Sequence, residues 1–161
     1  MEAESGLVPG RLARGSRCFG AWVGHELVGY GWLSSKSEWI GEVQLEIGLP
    51  PGEAYIWNCV TLARHRRKGV FRSVVTSIVR HAHNEGLARL WIASLAGVGG
   101  KTIQQAGFQP VLRFDSAKRL GLHWLRVRPA QGVDPDLVAS AREAVAVSGP
   151  LLVRRAIIRR H

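Results

Sequence analysis

The chain has 161 residues, 46% of them hydrophobic and 21% charged, which excludes a disordered polyelectrolyte and allows one domain with a buried core. Its formal net charge of +10 at pH 7 points to an anionic ligand or a polyanionic partner without choosing between them. Its two cysteines, Cys18 and Cys59, are far apart in sequence and exclude a disulfide framework or a zinc ligand set, and no apolar run reaches the ~20 residues that span a bilayer.

Residues 1–16 carry Gly, Pro and Arg without an apolar period and are expected to form a loose lead-in. "CFGAWVGHELVGYGWL" places two short apolar segments around Gly24-His25-Glu26, the pattern of a hairpin. "GEVQLEIGL" alternates, with Val43, Leu45 and Ile47 on one side, as a half-buried strand does. After Pro50-Pro51-Gly52, "EAYIWNCVTL" is apolar on both faces, as a central strand should be. The period then changes: Val70, Val74, Val75, Ile78, Val79 and Ala82 recur at helical spacing, and Gly86 closes that helix.

"ARLWIAS" reads as a further strand, "GGKTIQQAGF" as a short helix, and "PVLRF" and "LHWLRVR" as a final strand pair. Asp134-Pro135 offers an N-cap and a first-turn proline for a helix through about Val147. The expected fold class is α/β (α+β): a mostly antiparallel mixed sheet with a central strand–helix–strand unit. Residues 17–128 are expected to form the principal domain and residues 129–161 a C-terminal helical extension. The apolar stripe of that extension needs cover from the sheet or from a second copy, hence an expected homodimer.

The densest chemistry lies in "ARHRRKGVFRSVV", residues 63–75. A helix N-terminus presents backbone N–H groups and a partial positive charge. Gly69 lets the backbone approach a ligand, and Arg66, Arg67 and Lys68 add full charges. Charge and glycine alone leave two readings open, an anion site and a solvated basic turn. A Walker loop is excluded, because the lysine precedes the glycine and no Ser or Thr follows where one is required.

"CVTLARHRRKGVFRSVV" resembles the central motif of the GNAT superfamily of acyl-CoA-dependent N-acyltransferases: a buried strand, a basic loop of the form Arg/Gln-x-x-Gly-x-Gly/Ala, then a long helix. Arg66, Gly69 and Phe71 occupy the three motif positions, with Phe71 standing where a small residue is usual. "QQAGFQPVLRF" adds a second resemblance, a short helix ending in Gly-Phe before a strand.

The resemblance implies that acetyl-CoA or another acyl-CoA binds with its pyrophosphate on the backbone of Arg67, Lys68, Gly69, Val70 and Phe71, with Arg66 and Arg72 alongside. It implies that the pantetheine arm pairs with Cys59, Val60 and Thr61 like an added strand. The implied function is N-acyl transfer to an amine of a small molecule or peptide. A GNAT-fold acyl-CoA binder without activity and a basic nucleic-acid-binding protein are the alternatives, the latter disfavoured because the basic excess is dispersed.

The family's two N-terminal helices find no counterpart in residues 1–16, and Ala96 and Ile103 stand where an asparagine and a general-acid tyrosine are common. Glu53 is the carboxylate candidate for a base and Tyr55 its polar helper, on a strand face expected to carry Glu53, Tyr55, Trp57 and Cys59 together. The competing reading of Glu53 is a solvated strand-start residue, and that of Cys59 a small buried hydrophobe. No metal ligands are expected, and the setting expected is cytoplasmic without a membrane partner.

Overall fold

Gly24, at φ 58°, opens a two-residue turn that only a residue tolerant of positive φ makes without strain, and it joins β1 (Arg17–Val23) to β2 (Glu26–Ser34) as an antiparallel hairpin. The computed structural model describes residues 5–95, 99–147 and 150–155. The chain divides into two units, Met1–Lys36 with Leu49–Phe108, and Ser37–Gly48 with Gln109–His161.

In the first unit the hairpin continues into β5 (Glu53–Thr61), antiparallel to β2, and β5 pairs in parallel with β6 (Arg89–Ile92), giving the order β1-β2-β5-β6. The parallel pair needs a crossover, and helix α2 (Val70–Asn84) supplies it. Its apolar stripe, Val74, Val75, Ile78 and Ala82, is buried, and Val74 and Ile78 share a core with Leu33, Ala54 and Ile56. Gly86 ends the helix at φ 72°, with its N–H on His83 O at 3.0 Å and the Leu87 N–H on Ala82 O at 3.0 Å, the paired bonds of a Schellman stop.

Two glycines of β2 let α2 lie close to the sheet. A Cβ on Gly29 would stand 2.7 Å from Val70 Cγ1 and 2.8 Å from Val60 O, and one on Gly31 would stand 2.8 Å from Cys59 Sγ and 2.9 Å from Val74 Cγ1. At the far end of the helix, Arg17 of β1 donates to Glu85 and lies 2.8 Å from His81 Nε2. The hydrogen bond from Arg17 holds the Glu85 carboxyl below its ordinary pKa.

Where a loose lead-in is expected, Val8–Ala13 form a short helix, α1, with Pro9 in its first turn and Gly15 after its end. Arg11 is only 8% exposed. Its guanidinium lies 5.2 Å from the Trp32 ring centroid and 4.7 Å from that of Trp57, so two indole faces replace part of the water it loses.

The second unit contains a two-stranded sheet, β3 (Glu38–Ile40) with β4 (Leu45–Ile47), and a three-stranded antiparallel sheet, β7 (Leu112–Arg119), β8 (Leu122–Pro129) and β9 (Leu151–Arg155). Helix α4 (Pro135–Ala144) is capped as expected, the Asp134 side chain accepting from the N–H of Asp136 at 2.7 Å and of Leu137 at 3.3 Å. Val43 lies before β4 rather than in it, because Gln44 at φ 53° breaks the extended run. The expected helical extension is helical only in α4; Leu151–Arg155 form a strand, since β8 offers them a partner. Residues 156–161 lie outside the described residues. No described helix is long and apolar enough to cross a membrane.

The contact between β2 and α2 yields a stability prediction. Gly31→Ala should destabilise the protein by about 1–3 kcal/mol through overpacking. Urea unfolding monitored by far-UV circular dichroism measures it, and an unchanged midpoint would mean that α2 yields at this contact.

Candidate functional site

Between the pairs Tyr30↔Val60 and Trp32↔Trp57, β2 contributes one residue, Gly31, while β5 contributes two, Asn58 and Cys59. Asn58 takes the extra step at φ 44°, so β5 carries a bulge. The bulge shifts the alternation of every later side chain. Cys59 therefore turns to the α2 face, against the position of Gly31, and does not share a face with Glu53, Tyr55 and Trp57 as the period-two reading expects.

Pairing between β5 and β6 ends at Ile56↔Ile92. Cys59, Val60 and Thr61 continue beyond it, and among the described residues no strand lies beside them on the β6 side. They lead through a short 3-10 turn, Ala63–His65, into the basic loop. Arg67 at φ 60° and Gly69 at φ 81° both adopt left-handed backbone, and Gly69 forms the N-cap of α2. The first intrahelical bond is Ser73 N–H to Gly69 O at 2.9 Å, so the N–H groups of Val70, Phe71 and Arg72 have no carbonyl of the helix to bond. A non-glycine residue held at positive φ is a strained choice of the kind found at ligand clamps.

A cleft of about 360 Å³ opens at this point, lined by Thr61, His65, Arg66, Arg67, Gly69, Val70, Phe71 and Arg72, with Thr102 and Gln105 from helix α3 (Gly100–Gln105). Arg66, Arg67, Lys68 and Arg72 are exposed, so their charge is available to an anion. The loop is anchored from the hairpin: Glu26 pairs with Arg64 and lies 3.5 Å from His65 Nε2. Loss of solvent, followed by the charges of Lys68 and Arg64, lowers the His65 pKa. Phe71, bulky where the motif is usually small, has its ring close to Gly99, where a Cβ would stand 3.4 Å from Phe71 Cε1.

Glu53 stands at the other, paired end of β5. Its Oε1 accepts from Arg89 Nη1 at 2.7 Å and its Oε2 from Trp91 Nε1 at 2.5 Å, and its side chain is 12% exposed. This matches neither a solvated strand start nor an open base. Tyr55 is buried. Ile103 is 8% exposed and offers only hydrocarbon, while Ala96 lies outside the described residues. Cys59 is partly buried against the core, and loss of solvent pushes its thiol up to about 12, the state of a small hydrophobe rather than of a nucleophile. Among the described residues no group of three or more His, Cys, Asp or Glu could hold a metal ion.

Sequence reasoning missed the Glu26 anchor, the Arg11–Trp57 stack and the contribution of α3. Pro9 and Gly15 were a legible signal for α1; nothing local marked Thr102 or Gln105.

No curated protein matches the chain. Among solved structures it is similar to an Agrobacterium tumefaciens protein assigned as an acetyltransferase, at 20% identity and a TM-score of 0.50 over 65% of this chain and 69% of that one. It is also similar to a Bacillus subtilis acetyltransferase in complex with CoA, at 20% identity and a TM-score of 0.50 over 71% of this chain and 64% of that one. These likenesses show a shared fold. The model of the acetyltransferase (GNAT) family matches residues 4–99, more than half of the chain and all of the strand–loop–helix segment described above, and the chain belongs to that family.

Proposed function

We propose that this protein transfers an acetyl or other acyl group from acyl-CoA to an amine of a small molecule or peptide. The observation that carries the reading is the continuity of the strand edge at Cys59–Thr61 with the basic cleft at the Gly69 cap. The first suits an extended, amide-containing arm that adds as a strand. The second suits a diphosphate, which needs backbone N–H donors and compact positive charge. Arg66, Arg67, Lys68, Gly69, Val70, Phe71 and Arg72 would hold the phosphates, and Cys59, Val60 and Thr61 would supply the edge. Bound there, acetyl-CoA supplies an activated acyl group as a thioester.

What the chain's own residues do for the chemistry is mainly placement. Ile103 has no proton to give a departing thiolate, and loss of one general acid typically lowers a rate by roughly 10²–10⁴-fold. Because both Glu53 oxygens are occupied, we assign it the tie between β5 and β6, with the acceptor amine losing its proton to solvent. The buried Ile103 and the engaged Glu53 also favour a second reading, a GNAT-fold protein that holds acyl-CoA without transferring it.

Calorimetry and a free-thiol assay separate the two. Acetyl-CoA should bind the native protein, Gly69→Val should abolish binding, and Gly41→Ala, in the other unit, should leave it intact. Thiol release with a panel of amines supports transfer; binding without release supports the holding reading, and equal binding by Gly69→Val would falsify the site. For the assigned tie, Glu53→Gln should lower the unfolding temperature and leave the pH–rate profile in place; loss of the rising limb would instead make Glu53 the base. Finally, the two thiols should differ toward an aromatic disulfide reagent at pH 8. Exposed Cys18 should react in the native state and Cys59 only after unfolding, whereas two fast equivalents would mean that Cys59 is not held as a buried thiol.

A further inference from the structure

Strand β8 alternates strictly between its two faces. His123, Leu125 and Val127 are wholly buried, whereas Leu122, Trp124, Arg126 and Arg128 face outward. Trp124 is 42% exposed, as is Val153 opposite it on β9, and Leu122 is 37% exposed. On β7 the residue opposite Trp124 is Ala117, too short to cover an indole. Arg113 stands opposite Arg128 and Asp115 opposite Arg126, and Asp115 Oδ2 accepts from Arg128 Nη2 at 2.6 Å. The charge that looks dispersed in sequence is therefore gathered by strand pairing around one accessible aromatic ring.

Three occupants of such a face can be weighed. A second copy related by a two-fold axis would set arginines against arginines. A nucleic-acid duplex would satisfy the arginines but keeps its base faces stacked away from Trp124. A single strand uses both features, since its phosphates pair with guanidinium groups and any unstacked base has a π-face for the indole. Successive outward positions, Trp124, Arg126 and Arg128, are spaced about 6.8 Å apart along a strand, a step that an extended nucleotide chain can follow.

We propose that the outer face of the β7-β8-β9 sheet binds single-stranded nucleic acid, with a base stacked on Trp124 and phosphates held by Arg113, Arg126 and Arg128. The site uses no residue of the acyl-CoA cleft, so it stands or falls independently of the transferase reading.

The test is fluorescence anisotropy with dye-labelled 15-mers of uridine and of thymidine, titrated with the full chain at several salt concentrations. Binding should weaken with salt at a log–log slope of about −2, as about three neutralised phosphates on a single strand imply. Trp124→Ala should weaken binding roughly 5–150-fold, and Trp124→Phe should restore most of it, which separates stacking from a folding defect. Arg126→Gln with Arg128→Gln should flatten the slope by about 1.4. Preference for the ribose or the deoxyribose oligomer supports the proposal and identifies the natural strand. Unchanged affinity in Trp124→Ala overturns it. So does a duplex or poly-glutamate that binds as tightly as the single strands, or competition by acetyl-CoA, which would place the oligomer in the basic cleft.

Discussion

The mismatch between β2 and β5, where Gly31 stands against both Asn58 and Cys59, matters in two directions. Toward the helix, it turns Cys59 inward, where only a glycine opposite leaves room for the sulfur and for Val74. Along the strand, it lies beyond the last pair with β6, Ile56↔Ile92, in the part of β5 that β6 does not reach. An open strand edge is ordinarily a liability that invites association. Here the edge runs directly into a positively charged loop, and the two together match an extended amide chain that ends in phosphate. β6 ends at Ile92, opposite Ile56, so the last residues of β5 run on to the basic loop without it.

The loop depends on supports from outside itself. Glu26, at the end of the hairpin turn, holds Arg64 and faces His65, which fixes two residues of a run whose like charges would otherwise drive it apart. Arg66, Arg67 and Lys68 are left exposed. One acidic side chain thus divides five consecutive basic or imidazole residues into a pair it anchors and an exposed triplet. The strained backbone of Arg67 is held in place by an anchor on one side and a helix cap on the other.

How much of this was legible in the sequence follows from the range of each interaction. The α2 stripe, its Gly86 stop, the Asp134 cap and the Gly24 turn are local, and their residues announced them. The basic loop was legible for the same reason. The bulge was not, because Asn58 sits in an apolar run and only its positive φ marks the extra residue. The face shared by Glu53, Tyr55, Trp57 and Cys59 failed at that single step. The partners of Arg11 and Glu53 lie in other strands, so a pattern read along one segment could not name them. Strand β9 escaped notice because its partner β8, not its own composition, makes it a strand.

The division of the chain into interleaved units has a consequence for synthesis. Ser37–Gly48 is made early, yet the rest of its unit, Gln109–His161, is made last. The intervening Leu49–Phe108 takes several seconds to emerge at roughly 5–20 residues per second. During that delay the first unit can close on itself through β5, α2 and β6, while β3 and β4 have only each other, and a lone two-stranded hairpin is marginal in water. The nascent chain therefore passes through a stage with one finished unit and an apolar loop, Ile40, Leu45 and Ile47, waiting for its core. That stage is when a holding chaperone would find the most to bind.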